Sequence, residues 1–270
     1  MTAGCSGVNL TIALNYGESL INYLNKKPYL KDMIKGTKAC LTGPFTLASE
    51  IILTQEAAQG IKPKIFKEPR AIMVDHLVEK LAEMMEQIGK AYNDLGIEII
   101  SMDEPILGLL VGGRVMFHSE EFVIKTLNKA ISGIDNLSSI HVCGRISPKL
   151  RDLLLKTEVN ILDHEFQTNE QNFDIFRGEH FSAPDKYLAF GAVETKISPV
   201  KNGTITDYIE DIATIKQSIQ KAIDQFGEEN LLIKPDCGFM PLKDAFGVKM
   251  AYEITLKKLN NMVLAVKSLK

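Results

Sequence analysis

Along this chain, compact apolar runs alternate with longer stretches in which apolar residues recur every three or four positions. Compact runs of this length fit buried strands, and the spaced stretches fit amphipathic helices. The pattern predicts strands in TKACLTGPF (37–45), IEIISMDEP (97–105), LSSIHVCG (137–144), VNILDHEF (159–166), YLAFGAVET (187–195) and NLLIKPDCGF (230–239). It predicts helices over 47–58, 68–96, 119–132, 147–158, 170–178, 206–226 and 243–268. Gly96 reads as a stop for the long helix, and Ser147 followed by Pro148 as a start signal. The segment before Thr37, including GVNLTIALN, offers a place for one more strand but not two clean strand–helix units.

Strand–helix alternation of this kind implies a parallel sheet with helices outside it. No linker, low-complexity tract or short repeat interrupts residues 1–270, so the chain reads as a single domain. Its length suits a (β/α)8 TIM-barrel type of α/β fold, although six strands are countable and a closed barrel has eight.

Composition narrows the function classes. Apolar residues make up 45% of the chain, enough for a large core, and the charged share of 24% is ordinary for a globular protein. A net charge of −3 gives no basic field for nucleic acid. No run reaches the length of a membrane span, and the start MTAGCSGVNL lacks the regions of a signal peptide. Four cysteines at 5, 40, 143 and 237 are too few and too scattered for a disulfide framework. The expectation is a reduced, cytoplasmic protein. Cys40 reads as a small buried hydrophobe in its strand, and Cys5 as incidental.

Chemistry-bearing residues fall at the C-terminal ends of the strands. IEIISM runs into Asp103 and Glu104, LSSI into His141 and Cys143, VNILDH into Glu165, AFGAV into Glu194 and Lys196, and LLIKPD into Cys237. Those ends share one face in a parallel α/β sheet, and that face carries the active site. His141 and Cys143, two apart on a strand, point to the same side. With Glu165 and Cys237 from other strand ends they make a candidate metal site, while His164 should face away. Taken singly, each has a plainer reading: an H-x-C pair is a short motif with many false matches, and Asp103 and Glu104 could cap a loop.

SMDEP, IHVCG, DHEF and KPDCGF, in this order and spacing, resemble the catalytic domain of cobalamin-independent methionine synthase, in its short archaeal form. LTGPFTLA (41–48) and the last helix fit the same resemblance, which covers roughly residues 37 to 270. It implies a TIM barrel and a zinc ion held by His141, Cys143, Glu165 and Cys237. It also implies that Asp103 helps hold the amino group of homocysteine, with Glu104 supporting it or only structuring its loop. The sequence departs from the family in three respects. The opening strand with its Ile-Gly-Ser-type motif is not recognisable, Lys196 stands nearest to where the folate enzymes carry a loop histidine, and their extra N-terminal barrel has no counterpart.

One neutral imidazole, two thiolates and a carboxylate around Zn²⁺ leave the centre at about −1. Hydrolytic zinc sites avoid such electron-rich sets, because the metal must acidify water. A sulfur-rich site instead keeps a bound thiolate nucleophilic. The expectation is methyl transfer to the homocysteine thiol, giving methionine, with a methyl-corrinoid or corrinoid protein as donor. Transfer to coenzyme M and a non-catalytic zinc-binding remnant are the alternatives.

Overall fold

The computed structural model describes residues 11–63, 65–182 and 186–269. Six strands occur among them: β1 (Lys38–Thr42), β2 (Ile99–Asp103), β3 (Leu137–Val142), β4 (Ile161–His164), β5 (Tyr187–Gly191) and β6 (Leu231–Lys234). They form one sheet in chain order, and every pairing given by register is parallel. Sequential parallel order with helical crossovers is the connectivity of the TIM-barrel type; a doubly wound sheet would reverse order. All six strands lie where the apolar runs predicted them. The chain falls into two compact units, Met1–His141 with Asp152–Asn160, and Val142–Arg151 with Ile161–Lys270.

In the first unit, helix Asp75–Asp94 buries Val78, Ala82, Met85, Ile88 and Tyr92, a stripe at helical spacing. It packs on helix Glu120–Ile131, which buries Val123, Leu127 and Ala130. Each large apolar side chain so buried contributes about 1.5–3 kcal/mol. Gly96, at φ 79°, ends the long helix as expected, since an L side chain resists that left-handed turn. In the second unit, aromatic rings fill the space behind β4 and β5, with Phe166 4.7 Å from Phe190 and Phe173 5.3 Å from Phe226. Ser147 Oγ accepts from the Leu150 amide, capping helix Pro148–Leu155 as its sequence predicted.

Three expectations change. The helix expected over 47–58 spans only Pro44–Glu50. Beyond it the backbone pairs with a distant segment instead: Ala71 donates to Ile51 O, and Leu53 donates to Pro69 O. TIALN, offered as part of a strand, begins helix Thr11–Asn25, whose Ala13 carbonyl accepts a 2.7 Å bond from the Tyr92 hydroxyl; the GVNL before it and Cys5 lie outside the described residues. Cys40 is exposed, not buried. Strand β1 is paired only with β2 among the described strands, and Ala39 is its one fully buried residue. No described helix is long and apolar enough to cross a membrane.

Candidate metal centre

His141 sits in the last turn of pairing of β3, is mostly buried, and lies in register with Asp103 of β2. Cys143 follows one residue past the end of the strand. Gly144 then turns the chain at φ 83°, which a side chain would strain. Cys237 comes from the loop after β6. A ring nitrogen of His141 and the sulfurs of Cys143 and Cys237 all lie within 4.8 Å of one another. The two Sγ atoms are 3.6 Å apart. Hydrogen bonding to Cys237, followed by burial and the nearby charges of Cys237 and Glu165, pushes the Cys143 thiol far above its ordinary range. At that height the Cys143 sulfur keeps its proton unless a cation sits beside it.

Glu165 is close to this group but is not a member of it. Its side chain is fully buried, and each carboxylate oxygen has a partner. Oε1 pairs with Lys196 Nζ at 2.8 Å. Oε2 accepts from the Gly144 amide at 3.0 Å and from Asn169 Nδ2 at 2.6 Å. Lys196 in turn is held protonated above its ordinary range, first by the bond to Glu165, with the charges of Glu165, Cys143 and Cys237 adding to it against burial. His164, set aside as a ligand, stacks on Phe176 in the core at 5.3 Å.

Sequence reasoning missed the groups that hold the site's loops. Asp236, next to Cys237, is fully buried and accepts from the amides of Phe166, Gln167 and Thr168 at 2.8, 3.1 and 2.6 Å. Gly191 makes room for it, because a Cβ there would overlap the Asp236 carboxylate. Asn172, also buried, donates from Nδ2 to the carbonyls of Glu165 (2.7 Å) and Gly144 (3.0 Å), while its Oδ1 accepts from Ile146 at 2.9 Å. The signal available for Asp236 was a carboxylate wedged between Pro235 and Cys237 at a strand end.

Glu104 proves to be a strut. Fully buried, it accepts from the Phe45 and Thr46 amides at 2.9 and 2.8 Å and from the Thr46 hydroxyl at 2.6 Å. Burial pushes its carboxyl up to about 7, against these hydrogen bonds. Its oxygens are occupied in fixing the TGPF turn after β1, a neighbouring loop and not the one that follows its own strand. Asp103, beside it, is only partly buried.

A family model described as the cobalamin-independent synthase catalytic domain matches residues 18–268. The chain belongs to this family. A methionine synthase of Methanothermobacter thermautotrophicus is 32% identical over 240 residues, 87% of this chain and 64% of that protein. One from Methanocaldococcus jannaschii is 28% identical over 256 residues, 94% of this chain and 70% of that protein. The chain thus spans slightly less than two thirds of the Methanothermobacter relative. Among solved structures, a B12-independent methionine synthase from a Shewanella species, in complex with selenomethionine, matches at TM-score 0.56 and 18% identity, covering 92% of this chain and 66% of that one. A methyltransferase from Methanosarcina mazei matches at 0.54 and 14%, covering 86% and 58%. At such identities these two show the fold and nothing finer.

Proposed function

We propose that the protein is a zinc-dependent methyltransferase that moves a methyl group to the thiol of homocysteine, giving methionine. The convergence of His141, Cys143 and Cys237 within 4.8 Å supports this reading above any other single observation. The donor chemistry fits zinc, since an imidazole and two partly buried sulfurs 3.6 Å apart, all at one point, suit this ion. Zinc bound there would hold the substrate sulfur as a thiolate.

His141, Cys143 and Cys237 are the proposed ligands, with the Glu165 carboxylate beside them. Asp103, one strand over from His141, orients the ammonium group of the amino acid by a charge-assisted hydrogen bond. In the reaction a sulfur–methyl bond forms, the donor–methyl bond breaks, and the electron pair of that bond stays with the donor. A methylated corrinoid is the proposed donor. Cobalt(I) leaves as a stable anion and needs no proton, whereas the nitrogen leaving group of a folate requires an acid. Thiol chemistry of this kind suits a reducing cytoplasm.

The test is chromatography of reactions containing zinc-loaded protein, homocysteine and either methylcobalamin or methyltetrahydrofolate, with coenzyme M as a competing acceptor. Methionine from the corrinoid is expected. Product only with folate would overturn the donor, and preference for coenzyme M would overturn the acceptor. Stoichiometric zinc with no product from any pair would overturn the enzyme reading.

A further inference from the structure

Strand β6 ends on Lys234, whose side chain is only 17% exposed. A largely buried ammonium must satisfy its three N–H donors, and each here has an acceptor. One goes to the buried carboxylate of Asp163 in β4 at 2.8 Å. The others go to the carbonyls of Pro235 at 2.9 Å and Asp236 at 2.5 Å. In an extended strand successive carbonyls point to opposite sides, so two consecutive carbonyls on one ammonium mark a turn. The Asp236 carbonyl shares a peptide plane with the Cys237 nitrogen. Lys234 therefore grips the plane from which Cys237 departs. The Asp236 amide donates to Val193 O at 2.9 Å, and its carboxylate holds the loop after β4, but neither bond fixes that next plane.

We infer that Lys234, neutralised by Asp163, is a positioning residue that sets the backbone at Cys237 and with it the approach of its sulfur to Cys143. The inference rests on the metal-centre reading above for what the two sulfurs serve. Its physical basis is direction, not net charge. A buried ion pair contributes little net stability, because desolvation of both ions offsets their attraction. With Asp163 as counter-ion, Lys234 brings no surplus charge to this part of the molecule. What the ammonium supplies is a fixed point for two consecutive peptides, which an apolar side chain could not hold. The 3.6 Å separation of the Cys143 and Cys237 sulfurs then depends on a residue three positions before Cys237.

Two variants of the full-length protein test this. Lys234→Met removes the clamp and leaves the Asp163 carboxylate buried without that cation, so it should lower stability. Adding Asp163→Asn removes the surplus charge and should return much of the loss in thermal unfolding. Neither variant holds the two carbonyls. In zinc-free protein, iodoacetamide should therefore alkylate Cys237 about threefold faster or more in both, read by peptide mass spectrometry. Exposed Cys40 is the reference whose rate stays constant. Zinc affinity, by competition with a chromophoric chelator, should fall by about 10–100-fold in both. If Lys234→Met fails to fold, the double variant decides alone. A double variant whose Cys237 reactivity and zinc affinity match wild type would make Lys234 a structural residue only and overturn the inference. Faster alkylation in both variants, with no zinc bound even by wild type, would support the Lys234 clamp and overturn the metal centre.

Discussion

Each unit of the molecule holds a strand-end turn with a buried carboxylate, but the two devices do different jobs. In the first unit Glu104 reaches across from β2 to the Phe45 and Thr46 amides and fixes the turn after β1. In the second, Asp236 follows β6 and grips three successive amides of the loop after β4. Both sit against a glycine, Gly43 and Gly191, whose missing Cβ makes the approach possible. Glu104 secures a short helix next to Asp103. Asp236 adjoins Cys237 directly and holds the loop that carries Glu165, so one carboxylate sets the spacing of both. The same chemistry therefore fixes the turn after β1 in one case and the loop that carries Glu165, next to Cys237, in the other.

The sharpest way to strain this contrast begins with the thiols. Cys237→Ser should weaken zinc binding beyond the 10–100-fold typical of an outer partner, measured by competition with a chromophoric chelator. An affinity equal to wild type would remove Cys237 from the proposed metal centre. Asp236→Ala should destabilise the protein by about 4 kcal/mol, since three successive amides, buried or partly buried, lose their carboxylate acceptor. It should also weaken zinc binding. Glu104→Ala should cost about 3 kcal/mol in denaturant unfolding yet leave zinc affinity within about threefold. Equal effects of both alanine variants on the metal would erase the distinction.

A smaller effect separates the struts by pH. The Glu104 carboxyl stands near 7 in the folded protein against 4.5 ordinarily, so folding favours its protonated form. That contribution is complete below pH 4.5 and is lost as pH rises through 7, by up to about 3 kcal/mol. Unfolding curves of wild type and Glu104→Gln should therefore converge or cross over this window, with the variant gaining relative stability as pH rises. Parallel curves would mean that Glu104 does not titrate there. Smallest of all, Lys80→Ala removes an exposed pair with Glu83 at 2.6 Å and should change stability by less than about 0.5 kcal/mol.

Much of this architecture was legible in the sequence because burial writes itself into apolar patterning. All six strands announced themselves as runs, and Ser147–Pro148 marked a helix start. Where tertiary pairing overrode local pattern, legibility failed: residues past Glu50 pair with 69–71 instead of continuing a helix. Cys40 was misplaced for a related reason, since a strand with one paired side has few buried positions. At the site, His141, Cys143 and Cys237 could be anticipated from their strand ends. The engagement of Glu165 with Lys196 could not, because an ion pair between residues 31 positions apart leaves no periodic trace. Asp236 and Asn172 were hidden similarly, since their partners are backbone groups that any sequence supplies.

Asn172 has a mechanical consequence. A single amide ties the carbonyls of Gly144 and Glu165 to the Ile146 nitrogen, so the two neighbouring loops cannot loosen one at a time. Any movement of these loops must carry both as one body, with Asn172 as the rivet between them. Deuterium uptake at Ile146 and at the segment around Phe166 should then rise in step, and cutting the rivet with Asn172→Ala should let the two exchange at independent rates.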